Sequence, residues 1–339
     1  MSAQAITDTR NRPLRDLRIS VTDRCNFRCT YCMPAQIFNE HYQFLPHSEI
    51  LTFEEITRLT QIITDLGAVK LRLTGGEPLV RQDIEVLVQQ LTQVGGVADI
   101  AMTTNAYLLP KKAALLKEAG LQRVTISLDS LDEETFRRMN GNRASVARVL
   151  EGIKAAQTVG LNPIKVNAVI KRGVNDQHLL DMVRYCRDHG LILRLIEYMD
   201  VGNMNGWKLD HVVSAQEMIE RIDAVYPLQA VDRNYKSETA LRYRYADGAG
   251  EVGIIASVTQ PFCGNCTRMR LSPQGRIYTC LFATEGTDLK TPLRAGASDA
   301  ELADLITGKW QQRTDRYSEI RSSVAGQSHK KVEMYYIGG

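Results

Sequence analysis

Histidine, net charge and long apolar runs are all scarce in this chain. Six histidines are scattered through 339 residues, which leaves a histidine-built metal site short of ligands. The formal charge is +3, too small for a general binder of nucleic acid or anionic membrane. No run reaches the ~18 apolar residues of a membrane-spanning helix. Residues 1–15 are polar and lack the apolar centre of a secretion signal. A cytoplasmic protein with no nucleic-acid or membrane partner is expected. Neither a G-x-x-x-x-G-K-[ST] phosphate loop nor an H-E-x-x-H zinc helix is present. Gly248, Gly250 and Gly253 spell G-x-G-x-x-G, but a β-branched strand follows where that fingerprint needs a helix N-terminus. Those glycines read as a hairpin turn.

What remains is an ordinary globular composition, 44% apolar and 24% charged, which excludes disordered and fibrous classes. The length suggests roughly two units of ~150 residues. Strand patterns at 17–22, 69–74, 99–103, 123–129, 164–170 and 192–197 alternate with helical ones. One helix opens at Thr52 with Glu55 three residues on, a capping box. Others are expected at 84–93, 111–119, 146–159 and 176–189. Repeated strand–helix units mean a parallel sheet, open or curled, two units short of an eight-fold barrel. Beyond residue 200 the periodicity weakens. A hairpin is expected there, 241–245 and 252–258 around Asp247-Gly248.

Cysteine carries the chemistry. Of seven, Cys186 shares a helical face with Leu179, Met182 and Val183 and reads as core. The other six form two sets whose spacing, without a secretion signal, argues for metal or redox use. Cys25, Cys29 and Cys32 are C-x3-C-x2-C directly after the first strand. Three thiolates this close suit three corners of a cubane iron–sulfur cluster, with one iron left open. The alternatives are a zinc site completed by His41, or unrelated buried thiols. Cys263, Cys266 and Cys280 are C-x2-C-x13-C around the turn Ser272-Pro273-Gln274-Gly275. A hairpin of 268–271 with 276–281 puts Cys280 opposite position 267, beside Cys266. Spacing alone leaves zinc and iron–sulfur equally open here; the first set favours iron–sulfur.

Several strands carry polar residues at period 2 where a filled barrel has Val, Ile and Leu. Arg18 and Ser20 share a face, as do Lys70, Arg72 and Thr74; Thr125, Ser127 and Asp129; and Lys165 and Asn167. Arg194 adds a fifth cation. If these faces point inward, so much unpaired charge implies an anionic partner, and a triphosphate fits. The bland alternative is outward, solvated or acid-paired faces. Arg268 and Arg270 alternate beside the second cysteine set.

The run Cys25–Cys32, with Tyr31 before the last cysteine, followed by Gly75-Gly76-Glu77-Pro78 after the second strand, resembles the radical SAM superfamily. That resemblance implies a partial (β/α)6 barrel of α/β class. It also implies a cluster whose open iron binds S-adenosyl-L-methionine and yields a 5′-deoxyadenosyl radical. With the second cysteine set and the terminal Gly338-Gly339, the chain is similar from Leu17 to Gly339 to the GTP 3′,8-cyclase family. Those radical SAM lyases open molybdenum-cofactor biosynthesis.

The resemblance implies two [4Fe-4S] clusters, held by Cys25, Cys29, Cys32 and by Cys263, Cys266, Cys280. Tyr31, Gly76, Ser127 and Met199 would contact S-adenosylmethionine. Arg18, Lys70, Arg72, Thr103, Lys165, Arg194, Arg268 and Arg270 would contact GTP, and Gly338 and Gly339 would enter the active site. The implied reaction removes the ribose C3′ hydrogen and joins C3′ to guanine C8, giving (8S)-3′,8-cyclo-7,8-dihydroguanosine 5′-triphosphate. The implied partners are an external electron donor, a second copy in a homodimer, and a cyclic pyranopterin monophosphate synthase taking the product. The implied division is a barrel core at 1–200 and an extension at 201–339 with the second cluster, hairpin and tail. Competing readings are another twin-cluster radical SAM enzyme and a protein with purely structural metal sites. One departure stands out: after Thr103-Thr104-Asn105 the family has Gly, and this chain has Ala106.

Overall fold

Thr52 caps the first long helix as its sequence requires. Its hydroxyl accepts from the Glu55 backbone N–H, and the Glu55 carboxylate accepts from the Thr52 N–H at 2.8 Å. This helix, α1 (Phe53–Asp65), buries Ile56, Leu59, Ile62 and Ile63 on one face. The computed structural model describes residues 5–324 and 330–339.

The six expected strands form within a few residues of their expected limits. They are β1 (Asp16–Ser20), β2 (Lys70–Thr74), β3 (Asp99–Thr104), β4 (Arg123–Ser127), β5 (Lys165–Ile170) and β6 (Ile192–Glu197), neighbours in that order and all parallel. The helix expected from residue 176 begins at Leu179, after a tight turn at Asp176–His178. Cys186 is buried on it beside Met182 and Val183. Helices Glu133–Asn140, Ala215–Asp223 and Asp299–Gln311 add to the expected set.

The C-terminal residues do more to the sheet than the pattern suggested. Strand β7 (Leu228–Val231) pairs antiparallel with β8 (Leu241–Tyr245), which makes the expected hairpin with β9 (Glu251–Ile255). β9 then lies parallel to β6, and β10 (Arg268–Leu271) lies parallel to β1. The parallel array is therefore eight strands wide, with two supplied from beyond residue 200. Strand–helix alternation could not show this, because neither β9 nor β10 follows a helix of the repeating unit. The sheet ends at β7 on one side and at β12 (Thr287–Asp288) on the other. β10 pairs with β11 (Arg276–Tyr278) one residue off the expected register, Arg270 opposite Tyr278 and Leu271 opposite Ile277. β11 stops at Tyr278, so Thr279 and Cys280 leave the ladder.

Arg18, Arg72, Thr103, Ser127, Asn167, Ile196, Ile255 and Arg268, from eight different strands, line one cavity, so the sheet curves around it. The opposite faces of the same strands bury Leu17, Ile19, Leu71, Leu73, Val166 and Leu193 beneath the helices. Ala106 is buried at φ +62°, in the left-handed region that favours glycine. Among the described residues, no helix is long and apolar enough to cross a membrane.

Candidate active site

The loop after β1 carries the first cysteine set and is pinned by Arg28. Its guanidinium donates to the carbonyls of Phe38 (2.6 Å), Cys25 (2.7 Å) and Phe27 (2.8 Å). Glu77 ties the Gly-Gly-Glu-Pro segment to the end of β3. Its carboxylate accepts from Thr104 Oγ1 at 2.6 Å, Asn105 N at 2.7 Å and Leu79 N at 3.1 Å. Burial raises that carboxyl to about 7, against the pull of these donors. Tyr31 donates to Asp129 at 2.8 Å, and Asp129, just past β4, also accepts from Val169 N at 2.9 Å.

The second set lies across the same cavity. Cys263 begins a short turn before β10, Cys266 ends it, and Cys280 follows β11. All six cysteines line one cavity of about 290 Å³. Their electrostatics differ. Burial raises Cys29 and Cys32 and pushes Cys25 and Cys280 up to about 12. Burial acts on Cys266 too, but Arg268 and Arg313 outweigh it and bring that thiol down to about 6. Arg268 donates to the Cys266 sulfur at 3.3 Å.

These residues fit iron–sulfur clusters. Each set offers three thiols and no fourth, beside Phe27 and Phe136 on one side and Phe262 and Phe282 on the other. Among the described residues, no three His, Cys, Asp or Glu side chains close on a single metal-ion position. His41, the candidate fourth zinc ligand, is 85% exposed beside Glu40 and away from the cavity.

The remaining candidates divide by position. Tyr31, Gly76, Ser127, Met199, Thr103, Arg18, Arg72, Arg268, Arg270 and Gly339 line the cavity that holds the cysteines. Lys70 and Arg194 line a smaller adjoining cavity of about 80 Å³, which shares Arg18, Arg72 and Arg268 with the first. Lys165 lines neither, yet burial and the charges of Arg194, Arg123 and Arg72 lower its ammonium to about 7. Burial and the charges of Arg270, Arg268 and Arg72 pull Arg18 well down. Among the described residues, one of the five strand cations has an acid partner: Arg194 meets Glu238 at 3.0 Å. Gly338 does not line the cavity, but its carbonyl accepts from the Arg270 guanidinium.

Comparison with known proteins identifies the family. Residues 19–186 match the radical SAM superfamily and 191–319 match molybdenum cofactor synthesis C. A GTP 3′,8-cyclase of Acidothermus cellulolyticus is 51% identical, with 99% of each chain covered. The chain belongs to the GTP 3′,8-cyclase family. Cyclases of this family from Xanthomonas axonopodis pv. citri and Staphylococcus aureus are 48% and 45% identical, over 98% and 99% of each chain. Among solved structures, Streptococcus suis SuiB bound to S-adenosylmethionine superposes with a TM-score of 0.62 at 16% identity. That match covers 94% of this chain and 72% of SuiB and shows a shared fold.

Among the cavity residues that the sequence did not point to are two arginines. Arg12 donates to the carbonyls of Cys263 and Asp315, both at 2.8 Å, and Arg313 donates to the carbonyl of Cys266 at 2.8 Å. They join the N-terminal segment and a C-terminal loop behind the second cysteine set. Contacts spanning 251 and 303 residues leave no local pattern to find.

Proposed function

We propose that this cyclase acts on GTP with two [4Fe-4S] clusters, one on Cys25, Cys29 and Cys32 and one on Cys263, Cys266 and Cys280. The placement of both cysteine sets on one cation-walled cavity carries this reading. Held by Cys25, Cys29 and Cys32, the first cluster would supply, with S-adenosylmethionine, the radical chemistry needed to remove the ribose C3′ hydrogen and reach the 3′,8-cyclized triphosphate.

The chain's own residues bind, orient and exclude water. Tyr31, Gly76, Ser127 and Met199 receive S-adenosylmethionine. Arg18, Lys70, Arg72, Lys165 and Arg194 take the phosphates, and the charge of the triphosphate relieves their mutual repulsion. Arg268 and Arg270 face the nucleoside side, and Thr103 offers a neutral hydroxyl beside Arg72. The Gly338-Gly339 tail closes one wall. An external reductant, a homodimer and a synthase that consumes the product complete the proposal.

Two assays test it. Anaerobically purified protein is expected to hold ~8 iron atoms per chain. With S-adenosylmethionine and a strong reductant, 5′-deoxyadenosine formation should rise with GTP and not with ATP, together with a new compound of GTP mass. Deoxyadenosine formed equally without GTP would remove the substrate assignment. Protein shown to hold iron but forming no deoxyadenosine would favour a structural role for the clusters.

Lys165 makes a pH prediction. Its ammonium titrates near 7 in the free protein, and a bound anion raises that value. Binding therefore takes up a proton, and the Kd for GTP should rise as pH climbs from 7 toward 9. Lys165→Arg stays charged throughout and should flatten that rise. Equal slopes for the two proteins, by equilibrium dialysis, would remove Lys165 from the phosphate site.

A further inference from the structure

Asp16, Lys70, Asp99 and Arg123 are the first residues of β1 to β4, and all line the smaller cavity. That cavity therefore sits at the N-terminal end of the parallel strands, opposite the first cysteine set, which follows the C-terminal end of β1. Its outer wall is not barrel but the connection between β7 and β8, through Tyr235, Ser237 and Thr239. Two cations of the chamber depend on this connection. The Lys70 ammonium sits 3.3 Å from the centre of the Tyr235 ring. Arg194 donates through one terminal nitrogen to Glu238 at 3.0 Å, while its buried Nε has no partner among the described residues. Arg123 likewise leaves a buried terminal nitrogen without one.

The connection is built to hold those two residues still. Glu238 is 2% exposed, and its second oxygen accepts from Asn234 N at 2.8 Å. Arg242 on β8 donates to Asp232 O at 2.8 Å and to Asn234 Oδ1 at 3.0 Å. Tyr235 stays 41% exposed, so its ring forms a wall with solvent behind it and the Lys70 ammonium before it. An aromatic face attracts an ammonium but gives it no anionic partner, which leaves that place to a ligand anion. Glu238 fixes the plane of the Arg194 guanidinium and leaves Nε free. A phosphate is the oxyanion that two aimed cationic donors suit.

We infer that the β7–β8 connection is a phosphate-positioning loop: Tyr235 and Glu238 hold Lys70 and Arg194 for the phosphates farthest from the base. This rests on the reading of Lys70 and Arg194 as phosphate contacts. The far phosphates follow from geometry, since the ribose must meet the radical at the first cysteine set, past the C-terminal end of β1, and the loop closes the opposite end.

Binding of GTP and GMP to the anaerobic holoenzyme, by equilibrium dialysis, tests the inference alongside steady-state kinetics. Tyr235→Leu should weaken GTP binding about 3- to 30-fold, the span of a desolvated cation–π contact. Tyr235→Phe keeps the ring and should restore it. Glu238→Ala should weaken GTP binding by a similar factor, and Glu238→Gln, which keeps an acceptor for Arg194 but turns its amide nitrogen toward Asn234 N–H, should recover part of it. GMP binding should barely change in any of the four, and the loss should fall on KM rather than kcat. Iron content and unfolding temperature identify any variant that fails to fold, and the Tyr235→Phe and Glu238→Gln proteins keep the test decisive. Equal weakening of GMP and GTP, or Tyr235→Phe as weak as Tyr235→Leu, overturns the loop's role. Lys70→Ala and Arg194→Ala are run beside them. If those two leave GTP binding unchanged, the phosphate reading itself has failed, and the inference with it.

Discussion

Removing Gly338 and Gly339 is expected to abolish product while leaving the iron content unchanged. The tail is held by contacts spread along its length. Lys331 reaches Asp200 at 2.7 Å, Glu333 accepts from Asn203 N at 3.0 Å, Tyr335 meets the Tyr42 hydroxyl at 2.8 Å and Tyr336 donates to Gln274 at 2.5 Å. These anchors bring Gly339 to the cavity wall and set Gly338 behind it, against Thr74, with its carbonyl on the Arg270 guanidinium. Without it, buried Arg270 loses that partner and can swing into the space meant for substrate. A misplacement of about 1 Å can cost on the order of 100-fold in rate, so a loss of at least that size is expected. Gly338→Ala separates shape from length. Gly338 has φ +76°, and a Cβ there would collide with Thr74, so this variant should also be severely impaired. Product formation by the truncated chain at the wild-type rate, measured anaerobically with saturating GTP, would sink the idea.

Glu197→Ala is expected to destabilise the fold by about 3 kcal/mol or more, from roughly 1–3 kcal/mol for each buried donor left without its acceptor. Glu197 ends β6 and is fully buried. One oxygen accepts from Ala215 N at 2.8 Å and Thr259 Oγ1 at 2.5 Å; the other accepts from Val258 N at 2.7 Å and Thr259 N at 2.9 Å. A single carboxylate thus joins the last strand of the repeating unit to the helix at Ala215–Asp223 and to the turn after β9. Met199, two residues on, lies on the cavity wall. Glu197→Gln should not rescue, because its amide nitrogen would face N–H donors. Chemical denaturation reads the loss. A cost below about 1 kcal/mol for both variants would show that water replaces the carboxylate without penalty.

The cysteine sets, the Gly-Gly-Glu-Pro turn and the cation-bearing strand faces were legible because each is local. Period-2 alternation put Arg18, Arg72 and Lys165 on the inner face, and the cavity-lining set includes the first two. The Ala106 departure was also visible, and the backbone there does take positive φ. Less was visible beyond residue 200. Residues 241–258 read as a hairpin, and 241–255 form one, but its parallel docking on β6 depends on a partner about sixty residues earlier. The same holds for Arg12, whose partners lie 251 and 303 residues away, and for Arg313, 47 residues from Cys266.

By itself, then, the sequence determined the family, the parallel strand–helix repeat and the thiols that can hold clusters, since spacing along one chain settles what a short loop can chelate. Only the tertiary structure decided what surrounds them. It set the two extra parallel strands, the arginines behind Cys263 and Cys266, the tail carbonyl on Arg270, and the loop that backs Lys70 and Arg194. Each of these is a contact between distant segments, chosen by how whole faces bury apolar surface and pair charge. No window of sequence contains both partners of such a contact.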